Sequence, residues 1–296
     1  MSSTQSLGTA TEVVKAATRR PSRIGSMIRR PLPAMGAVLL LILISVSIGA
    51  PWITAQDPFD MNVVDRLQPP NETYFFGTDA FGRDIFTRTL YGGRVSLIIG
   101  VSVAVTSTVI GLIIGIIAGY FRMADAILMR IMDGLMAIPG ILLAIGLMSL
   151  TRASIWVVII AITIPEVPRV VRLVRSVVLT VREQVYIQAA GAIGTRFPRL
   201  MLKHILPNTF APLIVQATYI AASAVLIESY LSFLGVGTPP EIPSWGNIIA
   251  EGRLYVQIAF WNILFPSIFL ALMVLSINIL GDGLRDMLDP RLARRI

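Results

Sequence analysis

The chain carries few side chains that could perform catalysis. It contains no cysteine and a single histidine, His204, in 296 residues. Structural metal sites need several thiolate or imidazole ligands, and nucleophilic catalysis needs a base beside the nucleophile. The phosphate-binding pattern G-x-x-x-x-G-K-[ST] is also absent from the sequence. We therefore predict a protein that is not an enzyme, with no catalytic residues, no metal site, and no nucleotide site of its own.

Two sets of ionisable residues lie beside the apolar runs of the chain. The acidic set is Asp133, Glu166, Glu228 and Asp282, and the basic set is Arg169, Arg172 and Arg175. An acid inside a membrane is often a proton or ion site, but placement at the interface costs less. Repeated arginines within a span would indicate a voltage sensor, whereas prolines interrupt the run here. We interpret both sets as interfacial, with the arginines on a helix that emerges into the cytoplasm.

A polar, basic segment at residues 182–207 separates two apolar runs. On a surface helix, Tyr186, Ala190, Ile193 and Phe197 would form one stripe, because they are spaced by three or four residues. The segment also contains small residues that would let another surface approach its backbone. These are Ala189, Ala190, Gly191 and Gly194. The pattern predicts a surface helix with a docking face for a partner protein.

Composition identifies the kind of protein that carries this segment. Hydrophobic residues make up 55% of the chain and charged residues only 14%, whereas soluble domains average about 25% charged residues. The apolar residues are clustered in runs, which indicates a membrane protein. A net charge of +8 would suggest a nucleic-acid partner in a soluble protein. Here the basic residues flank apolar runs, so membrane topology explains them and no nucleic acid is expected.

The apolar runs predict an all-α membrane protein with six transmembrane helices. Their approximate bounds are 32–56, 95–121, 131–151, 153–175, 205–234 and 254–280. Residues 1–30 are predicted to be a mobile basic cytoplasmic tail, and residues 31–296 a single transmembrane domain. Loops 57–94 and 235–253 would face outward, and residues 182–204 would form a cytoplasmic segment.

The distribution of basic residues orients these spans. With six spans, both termini lie on one side of the membrane, and the segments on that side hold 19 of the 25 lysines and arginines. Six are in the N-terminal tail, two in the 122–130 turn, seven between residues 169 and 203, and four near the C-terminus. Basic residues accumulate on the cytoplasmic side. We therefore predict cytoplasmic termini.

The segment QAAGAIGTRFPRLMLKHILP, residues 188–207, resembles the EAA loop in permease subunits of bacterial ABC importers. Gln188, Ala189 and Ala190 occupy the E-A-A positions, Gly194 the glycine, and Leu206–Pro207 the end of the motif. Glutamine replaces the first glutamate. Three further blocks resemble the C-type permease of dipeptide and oligopeptide importers, and they cover residues 76–97, 228–252 and 278–292.

The resemblance implies the type I ABC importer permease fold in the cytoplasmic (inner) membrane of a bacterium. It implies a heterodimer with a second, B-type permease subunit, surrounded by lipid. Two ABC ATPase subunits would bind ATP and Mg on the cytoplasmic side, so this chain itself would need no cofactor. An extracytoplasmic substrate-binding protein would deliver a peptide-like substrate.

The resemblance also assigns roles to three groups of residues. ATPase coupling would involve Tyr186, Gln188, Ala189, Ala190, Gly191, Gly194 and Pro207. Contact with the binding protein would involve Asp79, Arg83, Asp84, Pro239 and Trp245. For the outer residues an alternative stays open, in which Gly82–Arg83–Asp84 folds the loop back on itself through an ion pair. The translocation path would be lined by Gln216, Tyr219 and Ser223, which share a helix face at spacings of three and four residues.

Other functions remain as alternatives. Importers with this outer-loop pattern also include systems for glutathione, nickel complexes and opine-like conjugates. A more distant alternative is an ion-coupled secondary transporter, which would need a coupling acid at mid-membrane and commonly shows internal repeats. The sequence shows neither feature.

Overall fold

The computed structural model describes residues 31–288, and the predicted basic tail at residues 1–30 lies outside the described residues. Within that range the chain is helical, with no strand and one isolated bridge between Thr78 and Asp84. The helices are α1 (Pro31–Ile48), α2 (Ala50–Ile53), α3 (Ile85–Tyr120), α4 (Arg122–Met136), α5 (Gly140–Ser149), α6 (Ile155–Arg182), α7 (Val185–Ala192), α8 (Phe197–Leu200), α9 (Leu206–Phe233), α10 (Trp245–Gly252) and α11 (Trp261–Leu288). A π-helix, Met201–Ile205, joins α8 to α9.

Four stretches are long and apolar enough to cross a membrane. They are Pro31–Ile48, Ile85–Tyr120, Pro198–Phe233 and Trp261–Leu288. The third predicted span is broken, because α4 and α5 meet at an angle of 85°. Pro139 precedes α5, and a proline cannot continue the hydrogen bonding of the helix before it. The described residues therefore contain four such stretches, or five if the bent pair crosses as one.

Helix α3 begins ten residues earlier than the predicted span. Asp84 caps its N-terminus, since its carboxylate accepts the backbone N–H groups of Phe86 (3.3 Å) and Thr87 (2.9 Å). Residues 85–94 of the predicted outer loop are therefore helical, and their place outside the membrane stays a prediction. Predicted span 153–175 corresponds to α6, which continues to Arg182 and carries several charged residues in its second half.

Helices α3 and α6 pack closely along a row of glycines. Gly111, Gly115 and Gly119 of α3 face Val170, Val174 and Val178 of α6, one pair per turn. A Cβ atom added to these glycines would lie 2.4–2.7 Å from the valine Cβ atoms. The absence of side chains on α3 thus brings the two backbones together, which strengthens van der Waals packing between membrane helices.

The three regularly spaced arginines of α6 each pair with a carboxylate. The pairs are Arg169 with Glu166 (3.1 Å), Arg172 with Asp133 (2.7 Å) and Arg175 with Asp125 (2.5 Å). Two of these carboxylates, Asp125 and Asp133, lie on α4, so Arg175 and Arg172 attach α4 to α6. The three-residue spacing is accounted for by these ion pairs.

Candidate functional site

The segment predicted to couple to a partner, residues 182–204, is not one continuous helix. Helix α7 ends at Ala192 and α8 begins at Phe197. The predicted single stripe is therefore wrong, because Ile193 lies beyond the end of α7 and Phe197 opens the next helix.

A backbone motif at Gly194 explains the break. Gly194 has φ = +80°, a left-handed conformation that glycine adopts without steric cost. The Thr195 N–H donates to the Ala190 carbonyl (3.0 Å), and the Gly194 N–H donates to the Gly191 carbonyl (2.9 Å). This pair of bonds is a Schellman motif, which satisfies the last carbonyls of a helix. Gly194 thus terminates α7.

Helix α7 has one buried side and one open side. Ile187 is buried and Ala190 packs against the main core. The exposed residues around them are Val185, Tyr186, Gln188, Ala189, Gly191 and Ile193. Val185 and Ile193 are 80% and 83% exposed, and a Cβ atom at Gly191 or Gly194 would meet open space. The predicted coupling positions therefore form an accessible surface, except Ala190, which is half-buried.

Pro207 lies at the junction between this segment and α9. A proline has no N–H to donate, and its ring clashes with the carbonyl four residues earlier in an α-helix. The chain adopts the wider π-helix Met201–Ile205 immediately before it. The side-chain amide of Asn208 donates to the His204 carbonyl (2.6 Å). The irregular turn therefore has a local cause, and π-helical turns often occur at functional sites.

A buried ionic cluster holds the predicted outer loop against α10. The Asp79 carboxylate accepts from Arg83 Nε (2.6 Å) and Arg88 Nη1 (2.5 Å). Glu251 accepts from the same two guanidinium groups, at 2.5 Å and 2.7 Å. We call these four residues the outer cluster. Each arginine pairs with both carboxylates, so the two positive and two negative charges compensate one another away from water.

Burial separates the five residues assigned to binding-protein contact. Asp79, Arg83, Asp84 and Trp245 are buried, whereas Pro239 is half-buried. The Trp245 indole N–H donates to the Thr89 carbonyl (2.9 Å). Burial favours the alternative, in which the outer loop folds back through an ion pair. Contact with a binding protein through these side chains stays a prediction. Sequence reasoning missed Arg88 and Glu251, which lie 163 residues apart, so no local pattern links them.

Glu228 is buried within a set of hydroxyl groups near the end of α9. Ser232 donates to its carboxylate at 2.8 Å, and Ser96 and Thr238 lie 3.4 Å from it. The residue is fully buried inside the protein, whereas its depth in the membrane stays a prediction. The hydroxyl donors reduce the cost of burying this group, and they attach α9 to the loop that precedes α10.

A cavity of about 460 Å³ contains two of the three predicted path residues. It is lined by Leu173, Ala211, Pro212, Val215, Gln216, Tyr219, Arg285 and Leu288. The third residue, Ser223, is half-buried on α9 and is not among the lining residues. The Tyr219 hydroxyl donates to Asp282 of α11. Sequence reasoning had not connected Asp282 or Arg285 with the path.

Comparison with known protein families identifies the chain. Residues 111–294 match the model of the binding-protein-dependent transport system inner membrane component family. This match covers more than half of the chain. The chain belongs to that family. It is therefore a multi-pass protein of the bacterial inner membrane, and the predicted family resemblance is confirmed.

Individual family members are similar over nearly their whole length. A protein of Sinorhizobium fredii, named a probable peptide ABC transporter permease, is 54% identical over 90% of this chain and 91% of its own. The dipeptide transport system permease of Alkalihalophilus pseudofirmus is 42% identical over 89% and 87% of the two chains. The oligopeptide transport system permease of Bacillus subtilis is 37% identical over the same shares.

Proposed function

We propose that this family member is the C-type permease subunit of a type I ABC importer for peptides. The names of the three relatives support the substrate class. The proposed assembly contains a second, B-type permease, two ATPase subunits that bind ATP and Mg, and an extracytoplasmic binding protein. The chain would cross the membrane six times, and both termini would lie in the cytoplasm. The four long apolar stretches would account for four crossings, and α6 and the bent α4–α5 pair would be the other two.

The observation that carries this proposal is the form of residues 182–204. A short helix, α7, is terminated by its own Schellman motif and exposes one face to solvent. At one end it follows α6 after a two-residue turn, and at the other it leads through the π-helix into α9. An element with this connectivity can transmit displacement from a bound subunit to two long helices at once.

In the proposed mechanism, α7 docks in a groove of an ATPase subunit. ATP binding closes the ATPase pair and carries α7 with it, so that the spans tilt and the path opens outward. The binding protein then releases peptide into the path, and hydrolysis restores the inward-facing state. ATP drives this cycle only because it binds the two states with different affinity.

The docking face can be tested with a bulky residue at Gly191. This glycine is helical and open to solvent, so Gly191→Trp adds volume without the backbone strain expected at Gly194. Gly191→Ala is the matched control, since it fits the helix and adds one methyl group. The complete complex is reconstituted in proteoliposomes, and peptide uptake and ATPase stimulation by the binding protein are measured.

We expect Gly191→Trp to abolish uptake and stimulation together, while Gly191→Ala retains both. Wild-type uptake and stimulation in Gly191→Trp would exclude α7 as the docking element. If the wild-type complex takes up no peptide, the substrate class itself is wrong.

A further inference from the structure

The cavity between α9 and α11 lies beside two positions at which α11 approaches its neighbours closely. A Cβ atom at Gly281 would lie 2.5 Å from Thr218 Oγ1 of α9, and one at Gly283 would lie 2.5 Å from Pro33 of α1. The two glycines flank Asp282, whose carboxylate accepts the Tyr219 hydroxyl hydrogen bond. The two glycine contacts and the hydrogen bond to Asp282 hold α11 against α9 and α1. Arg285, in the next turn of α11, lines the cavity near Tyr219.

The cavity combines apolar walls with one polar corner. Leu173, Val215 and Leu288 belong to the apolar part, whereas Gln216, Tyr219 and Arg285 form the polar corner. Among the described residues that line the cavity, Arg285 is the one with a charge. The neighbouring acid, Asp282, is already engaged by Tyr219. A ligand in the cavity therefore meets a guanidinium group and an amide, beside a hydroxyl whose hydrogen is already donated to Asp282.

We propose that Arg285 and Gln216 bind the α-carboxylate of the transported peptide. A guanidinium group presents two parallel N–H donors that match a carboxylate, and the Gln216 amide can supply a third. Every linear peptide with a free C-terminus carries this group whatever its side chains. The apolar walls distinguish side chains only weakly, so the site suits a path that accepts many peptides. The proposal rests on the proposed peptide-import function.

The main competitor for the same corner is the headgroup of an anionic lipid. Basic pockets between membrane helices on the cytoplasmic side bind such headgroups. The cavity has a volume of about 460 Å³, which lies within the usual range for small-molecule sites, about 300–1,000 Å³. The presence of the Gln216 amide next to Arg285 favours a small polar ligand, and the experiment distinguishes the two.

The test compares uptake of trialanine with uptake of its C-terminal amide by the complete complex in proteoliposomes. The binding protein has its own preference between the two peptides, but this preference is the same for every permease variant. The acid-to-amide uptake ratio of each variant relative to wild type therefore isolates the contribution of the permease. Losing a charge-assisted pair with a carboxylate should lower this ratio roughly tenfold in Arg285→Gln.

Three further variants complete the test. Arg152→Gln removes an exposed arginine from a turn distant in sequence and should leave the ratio unchanged. Arg285→Lys keeps the charge and should retain part of the preference. Gln216→Leu removes the amide at similar volume and should lower the ratio by a smaller factor. It also keeps the proposal testable if Arg285→Gln does not assemble.

Two outcomes would overturn the proposal. The first is an unchanged ratio in both Arg285→Gln and Gln216→Leu. The second is an equal loss for acid and amide that follows the anionic lipid content of the vesicles, which would assign Arg285 to a headgroup. Failure of the wild-type complex to import either peptide would instead refute the proposed function.

Discussion

Removing Asp79 should destabilise the packing of the loop before α3 against α10, because this carboxylate holds two buried cations. Its Oδ2 accepts from Arg83 Nε and Arg88 Nη1, and its Oδ1 accepts from the backbone N–H groups of Phe81 (2.8 Å) and Arg83 (3.0 Å). The Arg83 and Arg88 side chains are 6% and 1% exposed. Asp79→Ala leaves both guanidinium groups away from water with Glu251 as the remaining acidic partner within the outer cluster.

The structure gives the size of the effect. Truncating one partner of a buried ion pair costs about 3–5 kcal/mol, since it strands the opposite charge. Glu251 is more accessible, with 26% of its side chain exposed against 5% for Asp79. Water can replace part of its role, so Glu251→Ala should cost only about 1–3 kcal/mol. The order of the two variants is the informative result.

Tryptophan fluorescence can measure this unfolding locally. The Trp261 indole N–H donates to the Thr78 carbonyl (3.3 Å), next to Asp79 in the chain, and Trp245 is fully buried. The remaining tryptophans, Trp52 and Trp156, are largely exposed and can be replaced by phenylalanine. The free energy of unfolding is then obtained by denaturant titration of the detergent-solubilised protein.

Two comparisons make the result decisive. Asp60→Ala removes an exposed acid from the same outer loop and should change the free energy of unfolding little. Asp79→Ala combined with Arg88→Met removes the stranded cation as well, so the double variant should be more stable than the sum of the single losses predicts. Additive losses, or a loss in Asp79→Ala no larger than in Glu251→Ala, would refute the buried-charge argument. Normal stability with lost binding-protein stimulation would favour direct contact instead.

Three further predictions concern packing, backbone and ionisation. Gly115→Leu should destabilise the protein by about 1–3 kcal/mol through overpacking of α3 against α6. A Cβ atom at Gly146 would meet open space, so Gly146→Leu should not destabilise the protein. Thermal unfolding measures both variants. Gly82→Ala should loosen the outer loop, since φ is +77° and the new Cβ would lie 1.7 Å from the Asn62 carbonyl oxygen, and limited proteolysis should show faster cleavage. The pKa of Tyr74 is raised above its ordinary value of 10.0 by its hydrogen bond to a carboxylate. The hydrogen bond of Tyr74 therefore contributes its full stabilisation below pH 10.0, and this contribution is lost as the pH rises through the raised pKa of the folded state. Ultraviolet titration of the wild type against Tyr74→Phe would detect the raised pKa.

The sequence predicted the class of protein because apolar runs and charge asymmetry are local signals. It misplaced the start of α3 because Arg88 and Arg94 resemble loop residues in a membrane protein. Arg88 is instead buried inside the outer cluster, and one of its two acidic partners, Glu251, lies far away in the chain. Long-range charge pairing of this kind has no signature in a single sequence.

Residues 182–207 show the same division between features that the local sequence predicts and features that depend on tertiary structure. Small residues at Ala189, Gly191 and Gly194 indicated an accessible surface, and the structure leaves these positions exposed. Gly194 also carried a helix-termination signal, since a glycine after the last residue of a helix commonly ends it. The π-helix before Pro207 could not be predicted, because a proline can end or kink a helix as well as widen the turn before it.

Residues 182–204 are anchored unequally at their two ends, and this constrains how movement could enter the membrane. On one side α6 packs along three glycines of α3, and Arg182 donates to the Gly119 and Tyr120 carbonyls at 3.4 Å and 3.3 Å. On the other side the chain passes through an irregular π-helix. We therefore expect α3 and α6 to move as one body during transport, with rearrangement at the π-helix.

A disulfide can test this expectation, because the chain has no native cysteine. The hydroxyl oxygens of Thr106 on α3 and Thr163 on α6 are 2.9 Å apart, so cysteines at these positions would bring their sulfur atoms within reach of each other. If the two helices move together, the oxidised Thr106→Cys/Thr163→Cys protein should transport as well as its reduced form. Loss of uptake that reductant restores would show instead that α3 and α6 slide past each other, and the glycine contacts would then be a sliding surface.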